Sequence, residues 1–254
     1  MKPLCVPDIG RTNLQEKRIY RKLIRKAGLV PFRVSVKETD LLVQALTALE
    51  ETTTELVLRH RGVIESYIQR YPEFLNTLSP WRIRGPAPAI IRDMADAGAA
   101  AGVGPMAAVA GAIAAHVGTD LLHHSTEVIV ENGGDVFLKI KGPGTIAIYA
   151  GPSPLSLKIG MKVYPDDGPL GVCTSSGTVG HSLSFGRADA VCVISRDCAL
   201  ADAAATAVCN QVQSGKDIQK AIDIGKRIRD VDGLVVVIGD QIGMWGDVEI
   251  VPLG

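Results

Sequence analysis

The chain has 254 residues, 46% hydrophobic and 21% charged, enough to bury a sizeable core in one large domain or two small ones. Lysine plus arginine (27) balance aspartate plus glutamate (27) and aromatics are only 4%, which argues against nucleic-acid and anionic-membrane partners. The five cysteines, Cys5, Cys173, Cys192, Cys198 and Cys209, form no CxxC pair. That pattern points to reduced thiols, and with no apolar stretch in MKPLCVPDIGRTNLQEK the expected location is cytoplasmic.

Residues 17–26, KRIYRKLIRK, carry six basic side chains, and their period fits strand and helix equally. Phe32, Val34 and Val36 alternate with Arg33, Ser35 and Lys37, a half-buried strand that KETD turns into LLVQA as a hairpin. From about Leu49 to Tyr71, Leu56, His60, Val63 and Tyr67 share one helical face, and Pro72 stops the run. A linker, NTLSPWRIRGPAP, follows. Two small-residue helices are expected at about 88–101 and 105–122, broken at Gly102-Val-Gly-Pro. No residue from Gly98 to Ala115 is charged, but the alanine and glycine content and Pro105 favour a buried soluble helix over a membrane span.

TEVIVENGGDVFLKI reads as strand, turn, strand, and TIAIYAG, KIGMKVYP, PLGVCTS and DAVCVIS as further strands. ALADAAATAVCNQV is a helix that Ser195 or Asp197 can cap, and DIQKAIDIGKRI is another. GLVVVIGD and GMWGDVEIV close the chain as a hairpin. The alternation of strand and helix blocks predicts an α+β fold with mainly antiparallel pairing.

Several stretches carry chemistry. Gly102-x-Gly104-x-x-Ala107 matches a loose dinucleotide fingerprint, yet a helical segment precedes it where a strand is required. His116, Asp120 and His123/His124 fall at helical spacing, a metal face or a set of favourable helix-end charges. Asn132-Gly133-Gly134-Asp135 is a bare hairpin turn, or one whose backbone admits a ligand beside Asp135. Asp202 and Thr206 lie four apart on one helix face and suit a hard cation such as Mg2+; a hydrogen bond to a neighbouring loop is the plainer alternative. In GVCTSSGTVGHS (171–182), Ser175, Ser176, Thr178 and the glycines suit phosphate contacts, while Cys173 or a serine with His181 as base is the nucleophile reading.

Taken together, VENGGD (130–135), TSSGTVGHS (174–182) and ALADAAATA (199–207) resemble the ApbE superfamily, whose characterised members are magnesium-dependent enzymes that cleave FAD and transfer FMN to a protein Thr or Ser. The chain is similar to an uncharacterised cytoplasmic branch beside ApbE. The resemblance implies a T-fold-related α+β domain over 1–254, internally duplicated, with antiparallel sheets, packed helices and the ligand between its halves. It implies Asp202, Thr206 and a backbone carbonyl near Ala107 as Mg2+ ligands, and Asn132, Gly133, Gly134 and Asp135 at the nucleotide. Thr174, Ser175, Ser176, Gly177, Thr178 and His181 would face the phosphates or flavin of FAD or FMN, and Asp202, His181 and Cys173 are the catalytic candidates.

Two departures from the ApbE pattern stand out. Ala107-Ala108-Val109 replaces an Ala-Lys-Gly segment, and Ser-Leu-Ser instead of Ile-Asp-Pro follows His181. Two functions stay open: Mg2+-dependent FAD hydrolysis or FMN transfer to an acceptor protein, and binding of a flavin, nucleotide or metabolite without turnover. A variant makes Cys173 a sulfur acceptor in sulfide assimilation, with Thr174 and Ser175 donating to its thiolate. A homo-oligomer is compatible with the sequence, which does not fix the oligomeric state.

Overall fold

The computed structural model describes residues 21, 26–165, 168–179 and 184–253. A first hairpin, β1 (Val30–Val36) and β2 (Thr39–Ala45), leads into helices α1 (Glu50–Arg70), α2 (Glu73–Asn76), α3 (Ala89–Ala101) and α4 (Val109–Leu121). A second hairpin, β3 (Val128–Asn132) and β4 (Asp135–Lys139), precedes β5 (Gly144–Ala147) and β6 (Ile159–Val163). The chain continues through β7 (Leu170–Ser175), β8 (Ala190–Ser195), α5 (Cys198–Cys209) and α6 (Ile218–Gly225). It ends with β9 (Val231–Ile238), β10 (Gln241–Gly246) and β11 (Glu249–Pro252).

Eight strands form one antiparallel sheet, in the order β1-β2-β3-β4-β7-β8-β9-β10, and β11-β6-β5 form a second. This is the expected mixture of helices and antiparallel sheet. On one face of the large sheet, Val43, Val130, Cys173 and Val193 pack under the helices; on the other, Val136, Val172 and Val235 pack against Met161 and Val163 of the small sheet. A strand covered on both faces needs apolar side chains at every position. That accounts for the unbroken run Ala190-Val-Cys-Val-Ile, which is buried throughout.

Helix α5 carries almost nothing larger than alanine along its middle, so its backbone sits close to its neighbours. Asp197 caps it, accepting hydrogen bonds from the N–H groups of Ala199 (2.9 Å) and Leu200 (3.1 Å). Ser195, the other capping candidate, donates instead to the Asp230 carbonyl. The helix expected over 105–122 starts as a single 3-10 turn at Pro105–Ala108 before α4 begins. Together with Gly102 in the left-handed region (φ +72°), that turn bends the apolar stretch by 106°. Among the described residues no single helix is long and apolar enough to cross a membrane.

The closing hairpin needs correction. GMWGDVEIV is two strands: β10 stays with β9, and β11 crosses to pair with β6. Gly246 makes the exit at φ +87°, where a Cβ would lie 2.2 Å from the Asp232 carbonyl, so a larger residue cannot continue the ladder there.

Two helical glycines give a paired expectation. A Cβ on Gly118 of α4 would meet the Phe137 ring at 2.2 Å, whereas one on Gly62 of α1 would meet nothing within 4 Å. Gly118→Ala should destabilise the protein by about 1–3 kcal/mol, and Gly62→Ala should stabilise it by about 0.5–1 kcal/mol. Urea unfolding of both variants checks this; equal effects would show that α4 is not pressed onto β4.

Candidate functional site

Asn132, Gly133, Gly134 and Asp135 form the tight turn between β3 and β4, with Asn132 paired to Asp135. Gly133 (φ +70°) and Gly134 (φ +115°) occupy backbone conformations that side chains disfavour, which is why the turn needs glycine. Three hydrogen bonds fix it. The Gly134 N–H donates to Glu131 Oε1 at 2.8 Å, Asn132 Nδ2 donates to the Ala110 carbonyl at 3.0 Å, and the Thr174 N–H donates to Asp135 Oδ1 at 3.2 Å. The turn is therefore tied to α4 and to β7.

Helix α5 reaches the same place. Asp202 Oδ2 accepts a hydrogen bond from the Gly111 N–H at 2.9 Å, and the Ala110 N–H also reaches this carboxylate. Ala110 and Gly111 open α4, so a side chain of one helix caps the start of the other. The helices can come this close because Gly111 has no Cβ: one would lie 2.3 Å from the Cys198 carbonyl and 2.8 Å from Asp202 Cβ. Burial raises the Asp202 carboxyl from its ordinary 3.8 to about 7. Asp135 is held well above its ordinary value, first by burial and then by the charge of Asp202. Among the described residues no ion pair engages either acid.

Thr206, buried one turn beyond Asp202, offers a hydroxyl, and Ala107 lies in the 3-10 turn that precedes α4 and packs against α5. The buried carboxyl of Asp135, the part-buried one of Asp202 and the Thr206 hydroxyl are hard oxygen donors, the chemistry that Mg2+ prefers. Among the described residues no group of three or more His, Cys, Asp or Glu side chains is arranged to hold a metal.

The loop after β7 spends its hydroxyls on itself. Ser176 Oγ accepts from the N–H groups of Thr178 (3.1 Å) and Val179 (3.0 Å), and Thr178 Oγ1 donates to Asp189 Oδ1 at 3.0 Å. Gly177 donates its N–H to the Ala188 carbonyl and is pressed so close to Gly186 that a Cβ would lie 2.0 Å from its oxygen. Asp189 is a residue that sequence reasoning passed over. Its second oxygen accepts the Gly239 N–H at 2.7 Å, which ties this loop to the β9–β10 turn. Its signal was a lone acid at the head of an apolar strand. His181 lies outside the described residues.

Cys173 does not stand where a nucleophile should. Its thiol is fully buried, donates to the Cys198 carbonyl at 3.3 Å and lies 3.6 Å from Cys198 Sγ. Burial, then Cys198, then the charges of Asp135 and Asp202 push its pKa well up, so the neutral thiol is favoured. Thr174 Oγ1 donates to Cys192 Sγ, and Ser175 is buried beside Cys209, so neither hydroxyl serves Cys173 as expected.

The expected histidine face is also divided. His116 pairs with Asp93 of α3 (2.7 Å), Asp120 pairs with His60 (2.8 Å) and Arg59 of α1, and His123 and His124 fall in the turn after α4. Open space lies here. Cavities of about 270 and 430 Å³ adjoin at the N-terminus of α5, sharing Asp93, Ala115, Thr119 and Asp197. Neither is lined by Asp135 or Asp202.

A family model described as "AbpE bacteria" matches residues 21–241. A UPF0280 protein of Methanocaldococcus jannaschii is 41% identical over 223 residues, covering 85% of this chain and 90% of its own length. Another from Methanosarcina acetivorans is 39% identical over 233 residues, covering 88% and 92%. Among solved structures, the apo flavinyl transferase ApbE of Pseudomonas stutzeri superposes with a TM-score of 0.56 at 16% identity, covering 85% of this chain and 93% of that one. A flavin transferase ApbE from Vibrio cholerae gives 0.54 at 12% identity, covering 86% and 97%. At such identities the likeness is one of fold.

Two expectations follow from the buried groups. In the folded chain Asp202 keeps a proton that the unfolded chain releases between about pH 4 and pH 7, so its contribution makes stability fall as pH rises through that window and level off above it. Asp202→Asn keeps an acceptor for α4 without the charge, so it should flatten that slope, matching wild type within about 1 kcal/mol near pH 4 and exceeding its stability at pH 8. Urea titrations at several pH values measure both; a large loss at pH 8 would show that the charge itself is needed to cap α4. In thiol labelling, Cys173 and Cys192 should both stay unreactive in the native protein and react in denaturant. Selective fast labelling of Cys173 would restore its reading as a sulfur carrier.

Proposed function

Because this chain belongs to the ApbE-like family described as "AbpE bacteria", with UPF0280 proteins among its relatives, we propose that it binds a flavin nucleotide together with Mg2+ and acts on the FAD pyrophosphate. One observation carries the reading. Asp135 is buried and Asp202 part-buried, close enough that the charge of Asp202 raises the Asp135 carboxyl; both carboxyls stand above their ordinary range, with no cation paired to either among the described residues. Burying two like charges without compensation is costly, and a divalent cation relieves it. Asp202 and Thr206 would hold Mg2+, with an oxygen from the Ala107 turn and Asp135 alongside. Bound there, the ion would supply charge neutralisation at a pyrophosphate.

The chain's own groups do the positioning. The Gly133–Gly134 turn presents backbone without side chains, which lets a flat or phosphorylated ligand approach closely. Asn132 ties that turn to the start of α4. With water as acceptor, hydrolysis would release FMN and AMP; with a hydroxyl of an acceptor protein, FMN would be transferred and AMP released, and the structural neighbours are named flavin transferases.

Binding without turnover is the second reading, and two observations favour it. Ser176 and Thr178 are already engaged within their own loop, and Ala107-Ala108-Val109 supplies no lysine to pair with phosphate. Cys173 as a buried neutral thiol supports neither reading.

Thermal shift with FAD, Mg2+ and both together provides the test. Each alone should act weakly, because one carboxylate and one hydroxyl leave the shell for ligand oxygens to complete. Near one hundred times Kd the pair should stabilise the fold by about 2.7 kcal/mol, a Tm rise of roughly 5–10 °C for a chain this long. Asp202→Asn should abolish the joint shift. Chromatography of the same mixture for FMN and AMP separates turnover from binding. No shift with FAD, FMN, ATP or AMP plus Mg2+ would end the nucleotide reading.

A further inference from the structure

We propose that Glu131 and Arg21 are positioning residues for the Asn132–Asp135 turn, a buried ion pair that fixes where its glycine backbone stands. Glu131 is fully buried on β3, one residue before the turn. One carboxylate oxygen accepts the Gly134 N–H at 2.8 Å, and the other lies 2.6 Å from Arg21 Nε, an ion pair without the alignment of a hydrogen bond. Arg21 is almost as deeply buried, at 11% exposure, and its guanidinium also reaches the Asp40 carboxylate (3.1 Å) and the Asp40 carbonyl (2.7 Å) on β2. Asp40 in turn takes hydrogen bonds from Arg33 and Ser35. A line of charge-assisted contacts thus runs from the hairpin at the edge of the sheet to a single backbone amide of the turn.

Stability alone does not explain this arrangement. Removing two opposite charges from water costs several kcal/mol per ion, and apolar side chains of similar size usually hold a sheet at least as well. The turn itself explains it. Two successive glycines carry no side chain by which neighbours can grip them, and they lose more conformational entropy on ordering than any other residue. Successive residues of a strand point to opposite faces of the sheet. Asn132 bonds to α4 on the helical face, so Glu131 holds the turn from the face opposite. With both anchors in place, the turn is set to within the tolerance a ligand or Asp135 requires.

The consequence for a ligand rests on the flavin-nucleotide reading above; the consequence for the turn does not. Hydrogen exchange at the Gly134 amide, read by NMR, reports the turn directly, and calorimetric titration with FAD plus Mg2+ reports the ligand. In Glu131→Ala, the Gly134 amide should exchange at least 100-fold faster relative to amides of α4, and FAD affinity should fall at least tenfold. The double variant Arg21→Met with Glu131→Gln keeps an acceptor for Gly134 and leaves no buried charge unpaired. It should recover both protection and affinity to within about threefold of wild type. Exchange at Gly134 that follows only global stability in Glu131→Ala would overturn the proposal. So would a stably folded double variant that still exchanges as fast as Glu131→Ala. If wild-type protein binds no FAD, the functional reading fails, and the Gly134 amide still decides this one.

Discussion

The approach of α5 to the start of α4 at Gly111 is the contact on which the rest of the site depends. Both partners are backbone: the Cys198 carbonyl on one side and a residue without a Cβ on the other. Asp202 locks the approach, because its carboxylate takes up N–H groups that the first turn of α4 cannot satisfy internally. Once the helices are this close, the alanines of α5 follow of necessity, and Asp202 is carried to the floor of the sheet beside Asp135. A larger residue at 111 would separate the helices and, with them, the two acids.

The same closeness accounts for the chemistry around it. Burial moves the carboxyls of Asp135 and Asp202 and the thiols of Cys173 and Cys192 toward their neutral forms. Ionising any one of them adds negative charge beside Asp135 and Asp202, to which no cation is paired among the described residues. Such a setting suppresses thiolate formation and invites a cation, which is why the metal reading and the cysteine reading cannot both prosper at one place. Backbone amides, not basic side chains, do the remaining work of holding the acids. That is consistent with the absence of a lysine at Ala108.

Much of this was legible in the sequence where the signal was local. Four-residue spacing placed Asp202 and Thr206 on one face of a helix, Asn-Gly-Gly-Asp declared its hairpin, and Asp197 preceded its helix as a cap should. What was not legible depended on partners far along the chain. Nothing near Asp202 in sequence shows that its hydrogen-bond donors lie at 110 and 111, or that Glu131 answers to Arg21. Reading PLGVCTS as a strand could not say which of its faces α5 would cover, and so that Cys173 would be buried. Asp189 failed for the same reason: its role lies in joining two loops fifty residues apart. Local propensity names elements, but the side chains that bind elements together are selected by the fold.

The departure of β11 from its neighbour has a temporal meaning. The small sheet is built from residues 144–163 and from 249–252, far apart along the chain. During synthesis the apolar underside of the large sheet, including Val136, Val172 and Val235, must wait for a strand that arrives about ninety residues after its partner. Pairing over so long an interval is slow, and exposed apolar strands are prone to join other chains in the meantime. The order in which this protein leaves the ribosome therefore makes its underside, rather than its helical face, the surface at risk during folding.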